Sequence, residues 1–76
     1  MNEAATIIDK HRNNDFDIVA KLEKAGYRYE NEMLVNTTIE STYKMDIYNQ
    51  DDELKATAII SSEEGSGTML KRLNWY

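Results

Sequence analysis

The sequence has 76 residues, of which 41% are hydrophobic and 30% charged, a balance typical of one globular domain, and so short a chain cannot divide its buried surface between two cores. It contains no cysteine, which excludes a disulfide framework. Fourteen acidic residues against nine basic ones give a net charge of -5, which opposes binding to a phosphate backbone and favours a protein partner, in particular a basic or nucleic-acid-binding protein.

The N-terminal segment meets a charge at Glu3 before the apolar core of a signal peptide could form, and no later run approaches a membrane-spanning length. We therefore expect a cytoplasmic protein that makes no membrane contact. The whole chain, 1–76, is predicted to be a single domain that is helical over 1–26 and an antiparallel sheet over 27–76.

Residues 4 to 25 carry a helical pattern, because their apolar side chains recur at spacings of three and four. The pattern is interrupted at Asn13, and either Asn14 or Asp15 is suited to cap the start of a second helix. Gly26 stands where a left-handed C-terminal cap would fall. We predict a short helix, a break and a second helix that ends at Gly26, although one bent helix would use the same face.

After Gly26 the apolar period changes to two, which predicts four strands joined as a meander by turns at 36–38, 49–52 and 62–67. One face of this sheet, the covered face, is predicted to lie under the helices. Its side chains are predicted to be Tyr27, Tyr29, Tyr43, Met45, Ile47, Ile60, Met69, Leu73 and Trp75. The predicted fold class is α+β, with an N-terminal helix or helix pair packed on one face of a four-stranded antiparallel meander sheet.

The middle hairpin of this meander has a register in which large residues face small ones. That register pairs Ile47 with Leu54, Met45 with Ala56 and Tyr43 with Ala58. It also sets Asp46 opposite Lys55 on the other face, a cross-strand ion pair worth about 0.2–1 kcal/mol.

His11 is the only histidine, and one continuous helix would bring it close to Asp15, four residues further on, as an oriented base. Nucleophilic catalysis would also need a serine in a strained, glycine-framed turn, and none of the four serines has that frame. We predict that the protein is not an enzyme and that His11 is a helix-face or cap residue.

Donor side chains alternate over residues 9 to 17 in a way that resembles a calcium loop. The donors are Asp9, His11, Asn13, Asp15 and Asp17. An EF-hand loop that begins at Asp9 would need glycine where Asn14 stands and glutamate where Ala20 stands. The segment Gly65-Ser66-Gly67 lacks the lysine and helix start of a phosphate loop and is predicted to be a hairpin loop. We predict no metal and no cofactor.

Two acidic clusters lie in predicted loops at opposite ends of the third strand. They are Asp51, Asp52 and Glu53 in one loop and Glu63 and Glu64 in the other. Such runs are usually solvated turns. The functional alternative is that these carboxylates imitate phosphates and engage Lys or Arg on a partner.

The outer face of the sheet, opposite the covered face, is predicted to bind a partner or a second copy of the chain, because it mixes aromatic, aliphatic and arginine side chains. A simple solvated face would be mostly polar. Its apolar members are predicted to be Leu34, Tyr48, Ile59, Leu70 and Tyr76, interleaved with Glu40, Lys44, Asp46, Lys55, Arg72 and Asn74. The predicted partner-binding set is Tyr48, Ile59, Leu70, Tyr76 and Arg72 with the five loop acids. The alternative is that these apolar residues are merely scattered on the surface.

The leading hypothesis is a small acidic protein-binding module that acts as an inhibitor or antagonist by occluding a target protein. In composition the chain is similar to phage- and mobile-element-encoded inhibitors such as anti-CRISPR proteins, antirepressors and DNA mimics, but no functional position is transferred from this similarity. One alternative is an antitoxin or immunity protein that neutralises a basic nuclease. Another is a nucleic-acid binder whose sheet tyrosines stack on bases. Its aromatic and basic side chains would be Tyr27, Tyr29, Tyr43, Tyr48, Lys44, Lys55, Lys71 and Arg72.

Overall fold

The computed structural model describes residues 1–76 and contains two helices followed by four strands. The helices are α1, Glu3–Lys10, and α2, Asp15–Lys24. The strands are β1, Arg28–Asn36, β2, Glu40–Tyr48, β3, Leu54–Glu63, and β4, Gly67–Trp75. All four strands form one antiparallel sheet in the order β1-β2-β3-β4, so the predicted α+β fold with N-terminal helices and a meander sheet is confirmed.

The second helix begins and ends where its local sequence predicts. The Asn14 side-chain oxygen accepts a hydrogen bond from the Asp17 backbone N–H at 3.2 Å, which satisfies one free donor of the first turn. Gly26 follows the helix with a φ of +90°, and the next backbone N–H donates to the Leu22 carbonyl at 3.0 Å. The chain therefore forms two helices with a break between them, and not one bent helix.

The hydrophobic core lies between the two helices and the centre of the sheet. Its buried members are Ala4, Ile8, Ile18, Leu22, Met45, Ile47, Ala56, Ala58, Ile60 and Leu70. The small side chains of Ala56 and Ala58 allow α1 to approach β3 and β4 closely. No buried side-chain nitrogen or oxygen lacks a hydrogen-bond partner, so no buried polar side chain weakens this core.

The predicted register of the β2–β3 hairpin is wrong by two residues. The observed pairs are Ile47 with Ala56, Met45 with Ala58 and Tyr43 with Ile60. A shift by two keeps Ala56 and Ala58 on their predicted face, so large residues still face small ones at the first two pairs. Leu54, on the other side of the shift, pairs with Tyr48 instead of Ile47. The predicted ion pair is also wrong, because Asp46 lies opposite Thr57, whose hydroxyl donates to its carboxylate at 3.0 Å.

Two single-residue insertions in this hairpin cause the shift. Glu53 belongs to the loop, where its N–H donates to the Asn49 side-chain oxygen at 3.0 Å and its carbonyl accepts from the Asn49 N–H at 3.0 Å. Lys55 is then the extra residue of a bulge in β3. Each insertion moves the pairing by one residue.

A second bulge, at Lys71, reverses the alternation of side chains within β4. Ile59 pairs with Arg72 whereas Ile60 pairs with Leu70, so Lys71 is left over. Leu70 consequently faces the core and is 6% exposed, while Met69 points to the outer face and is 47% exposed. The predictions that Leu70 lies on the outer face and Met69 on the covered face are both wrong.

The helices are too short to cover the whole sheet. At about 1.5 Å per residue, α1 and α2 span roughly 12 and 15 Å, whereas strands of nine or ten residues extend about 30 Å. The molecule is accordingly elongated, measuring 37 × 20 × 18 Å. Every residue of β1 except Tyr29 is exposed, and Trp75, at the far end of β4, remains half exposed. Neither helix has the length and apolar content that crossing a membrane requires.

Candidate protein-binding groove

A groove of about 680 Å³ lies between α2 and β1. It is lined by Asp15, Phe16, Val19, Ala20 and Glu23 of α2, Tyr29, Asn31 and Met33 of β1, and Tyr43 of β2. Six of these nine residues are hydrophobic, and the volume falls within the range of about 300–1,000 Å³ that is usual for ligand sites. The uncovered strand β1 forms one side of the groove, so the groove exists because the helices leave that strand open.

The wall of the groove is a second apolar stripe on α2. Ile18 and Leu22, one turn apart, face the core and are fully buried. Phe16, Val19 and Ala20 follow at spacings of three and four and turn toward β1 instead. Phe16 is 84% exposed, the largest exposed fraction among the large hydrophobic side chains. Phe16 was not among the predicted site residues, although its spacing to Val19 and Ala20 marks it as part of this stripe.

Tyr43 joins the sheet to the start of α2. Its hydroxyl donates a hydrogen bond to the Asp15 carboxylate at 3.2 Å. Burial, and then the charge of Asp15, raises the pKa of Tyr43, so this hydroxyl stays protonated well above neutral pH. The bond therefore holds the start of α2, which forms the wall of the groove, against β2.

The alternative pairing of His11 with Asp15, which one continuous helix would have allowed, does not form, and His11 is a cap residue as predicted. His11 is the C-cap of α1, and a turn over residues 11–13 separates it from α2. Asp15 hydrogen bonds to Tyr43 instead. The two residues therefore do not form an oriented base, because the helix that would have aligned them is broken.

The groove has an acidic rim. Asp15 and Glu23 line it, no basic side chain does, and neither carboxylate takes part in an ion pair. Because unpaired carboxylates beside apolar side chains attract cations and repel acids, the rim favours a partner with basic side chains next to apolar ones.

The outer side of β1 is also acidic on balance. Six charged side chains meet there: Arg28, Glu30, Glu32, Lys44, Asp46 and Asp52. Arg28 pairs with Asp52 at 2.9 Å and Glu30 at 3.6 Å, while Lys44 pairs with Glu32 at 3.4 Å and Asp46 at 3.8 Å. Four acids share two bases, so Glu30 and Glu32 lie in a region with a surplus of negative charge.

The two edges of the sheet differ in how open they are. β1 pairs only with β2, and no backbone group of β1 makes a hydrogen bond outside that ladder. The free side of β1 therefore presents a row of unpaired N–H and C=O groups. On β4, the other edge, the Leu70 N–H donates to the Arg12 carbonyl at 3.0 Å, so the turn between the helices covers part of that edge.

Exposed apolar side chains concentrate at the groove and the adjoining end of the β1–β2 hairpin. Five of the ten exposed large hydrophobic residues lie there: Phe16, Met33, Leu34, Val35 and Ile39. Single exposed apolar residues are ordinary, whereas a cluster of them marks an interaction surface. The strongest such cluster therefore lies at the groove and at this end of the hairpin, where Val35, opposite Thr42, extends it onto the outer face.

The five sheet residues of the predicted partner-binding set do not form one patch. Ile59 and Arg72 are neighbours across β3 and β4. Ile59 pairs with Lys44 of β2, and Tyr48 lies four residues further along that strand, about 13 Å from Lys44. Leu70 is in the core, and Tyr76 is 64% exposed beyond the end of β4. Only Ile59 and Arg72 are brought together as predicted.

The two acidic loop clusters lie at opposite ends of β3, as predicted. Most of their carboxylates pair locally: Asp52 with Arg28 at 2.9 Å, Glu53 with Lys55 at 4.0 Å and Glu63 with Lys71 at 3.9 Å. Exposed pairs of this kind contribute little to stability. The two clusters are separated by the length of β3, about 30 Å.

Tyrosines and cations of the sheet do not form a base-stacking platform. Tyr27, Tyr29 and Tyr43 pack against the core, and the Arg28 guanidinium lies 4.5 Å from the centre of the Tyr48 ring. The lysines are paired with acids: Lys44 with Glu32 and Asp46, Lys55 with Glu53, and Lys71 with Glu63. Of the four cations predicted for this role, only Arg72 has no acidic partner, which leaves little free positive charge for a nucleic acid.

A basic cleft of about 410 Å³ lies between the two helices, where Lys10, His11, Lys21 and Lys24 are among the lining residues. Lys10 and Lys24 stand in the last turns of α1 and α2, where cations stabilise the helix dipole. That structural role accounts for their placement. No group of three His, Asp or Glu side chains converges on a possible metal position, and Asp9 pairs with Arg12 at 3.5 Å.

No protein-family model, no curated protein and no solved structure matches this chain. Three features of the chain itself bear on its function: the groove, the open strand edge and the charges. These three features adjoin one another along β1.

Proposed function

We propose that this chain is a small protein-binding module that acts as an inhibitor or antagonist by occluding a target protein, and that it contacts the target through the groove between α2 and β1. One observation carries the proposal. An apolar groove, an open strand edge and an acidic rim adjoin one another in a molecule whose other strand edge is partly covered.

Two side chains supply the apolar part of this contact. Phe16 and Met33 are exposed on opposite sides of the groove. Burying a side chain of this size against a partner contributes about 1.5–3 kcal/mol. Large apolar side chains flanked by polar groups are also the usual centres of binding energy in protein interfaces.

The acidic rim supports a basic target. Asp15 and Glu23 flank the groove, and Glu30 and Glu32 lie on the outer side of the same strand. Charges of one sign steer a partner of the opposite sign and disfavour acidic ones. A basic nuclease neutralised by an antitoxin is one form that such a target takes, and a repressor or effector enzyme is another.

Phe16→Asp is the variant that tests this proposal, because Phe16 is exposed and outside the core. Tyr76→Asp is its control, since it also replaces an exposed aromatic residue by aspartate but lies beyond the end of β4. The protein that wild type captures from the source cells is purified, and its affinity for each variant is measured by titration calorimetry.

We expect wild type and Tyr76→Asp to bind this protein equally and to block its activity, while Phe16→Asp binds about tenfold more weakly or worse, a loss of about 1.4 kcal/mol. Folding of each variant is checked by circular dichroism. Equal binding by Phe16→Asp, or binding that leaves the target fully active, would overturn the proposal.

A further inference from the structure

We infer that the target is recognised through an extended segment that adds to β1 as a fifth strand and carries alternating apolar and basic side chains. This inference rests on the proposed function and narrows it to one class of partner. Its support comes from the backbone of β1, from its two rows of side chains, and from the charges beside them.

The backbone of β1 offers a regular template. Arg28–Met33 pairs with β2 without interruption, and the register shifts only after Met33. Six residues in this conformation extend about 20 Å. Their free N–H and C=O groups can bond to an added strand, which is how extended peptides join exposed sheet edges in other proteins.

The β1 side chains on the covered face of the sheet favour apolar side chains on an added strand. Tyr29, Asn31 and Met33 line the groove at every second position. Side chains of an added strand on that face would lie about 4.5–5.5 Å from these residues, beside the exposed ring of Phe16. Alternate positions of the segment are therefore apolar.

The β1 side chains on the outer face of the sheet favour basic side chains on an added strand. Glu30 and Glu32 occupy the intervening positions, about 6.6 Å apart, in the region where four acids share two bases. Lys or Arg residues two positions apart on the added strand would face them directly. Opposite charges across a strand pair are favourable and like charges are not.

Other occupants use this surface less fully. A second copy of β1 paired antiparallel about Asn31 would set Glu30 against Glu32 twice, and pairing about Glu32 would set that residue against itself. Pairing about Tyr29 would set Arg28 against Glu30 but would leave Glu32 and Met33 opposite residues before β1. An amphipathic helix would fill the groove but would leave the backbone edge unpaired and the outer row of β1 unused. A basic, apolar-alternating strand engages all three features.

The probe for this inference is an acetylated and amidated peptide of four Lys-Val repeats, with a Glu-Val peptide of equal length as its control. We expect wild type to bind the Lys-Val peptide about tenfold or more tightly than the Glu-Val peptide. The double variant Glu30→Lys with Glu32→Lys should reverse this preference. Glu63→Lys with Glu64→Lys makes the same change in net charge at the β3–β4 turn, two strands away from β1, and should keep the wild-type preference.

Backbone pairing is tested by methylating alternate amide nitrogens of the Lys-Val peptide. In an added strand one set of amides faces β1 and the other faces away. We therefore expect methylation of either the lysine amides or the valine amides to abolish binding. Methylation of the other set should leave the dissociation constant within about twofold of that of the unmethylated peptide. Sedimentation of the free chain should give a monomer.

Several results would overturn the inference. The first is that the Lys-Val peptide does not bind at millimolar concentration. The second is that the two double variants, or the two methylation patterns, change peptide binding equally. The third is that the free chain is a dimer that the β1 charge reversal dissociates. If Phe16→Asp abolishes binding of the captured protein while the β1 charge reversal does not, the proposed function stands and the strand inference fails. If neither change weakens that binding, both fail.

Discussion

Leu70 and Met69 are neighbours in sequence that the bulge at Lys71 places in opposite environments. Leu70 is 6% exposed and pairs with Ile60, whereas Met69 is 47% exposed on the outer face. Replacing a buried leucine by alanine costs about 2–5 kcal/mol, and we expect about 3 kcal/mol for Leu70→Ala because β4 is an edge strand whose neighbours can partly relax. Met69→Ala should cost less than about 1 kcal/mol, since much of that side chain is already in water.

These values translate into melting temperatures that are easy to distinguish. In a domain of this size about 1 kcal/mol shifts the midpoint by roughly 4–8 °C, so Leu70→Ala should melt about 12–24 °C below wild type. Urea denaturation followed by circular dichroism gives the free energy of unfolding of both variants. Equal losses, or a larger loss for Met69→Ala, would refute the bulge and return Leu70 to the outer face.

Three further substitutions test local features of the fold by the same denaturation assay. Asn14→Ala should lower the free energy of unfolding by about 1 kcal/mol because the α2 N-cap is lost, and no change would mean that this cap contributes nothing. Gly26→Ala should cost about 1–2 kcal/mol, because alanine at a φ of +90° is strained and its Cβ would lie 2.7 Å from the Gln50 side-chain nitrogen. Tyr43→Phe should cost about 0.5–1.5 kcal/mol at neutral pH through loss of the bond to Asp15. Because the folded-state pKa of Tyr43 is raised, its contribution is complete below the unfolded value of about 10 and is lost as the pH rises above it, so wild type should lose more stability than Tyr43→Phe in alkali.

Features that depend on a few consecutive residues were predictable from the sequence. An asparagine just before a helical pattern is a strong N-cap, and a glycine just after one is a strong left-handed terminator. Asn14 and Gly26 act in these ways at the two ends of α2. Alternation in β2 also assigned Met45 and Ile47 correctly to the covered face. In each case the physical cause lies within the segment itself.

Register was not predictable, because one inserted residue changes it without disturbing the apolar pattern. Lys55 and Lys71 are flexible polar residues that look ordinary in an alternating strand, yet each is the extra residue of a bulge. In β4 the insertion exchanged the faces of Leu70 and Met69, and both are suitable for a core. Choosing between them requires the partner strand, which the sequence of β4 does not contain.

The groove was not predictable for a related reason. A meander has β1 and β4 at its edges, but which edge the helices leave open depends on how the helices cross the sheet. Phe16 gave the one local signal, since it extends the stripe of Val19 and Ala20 beyond the face that Ile18 and Leu22 bury. The apolar residues predicted for the outer face gave no distances between them, and the register places Tyr48 about 13 Å along β2 from the residue opposite Ile59.

Hydrogen exchange measured by NMR at each backbone amide, for the free chain and for its complex with the Lys-Val peptide, tests the role of β1 most directly. We expect the β1 amides that face away from β2 to exchange rapidly in the free chain and to slow by about tenfold or more in the complex, while the amides of β4 do not change. Protection that appears on β4 or the outer loops, or a bound peptide that leaves the β1 amides unprotected, would contradict this role of β1.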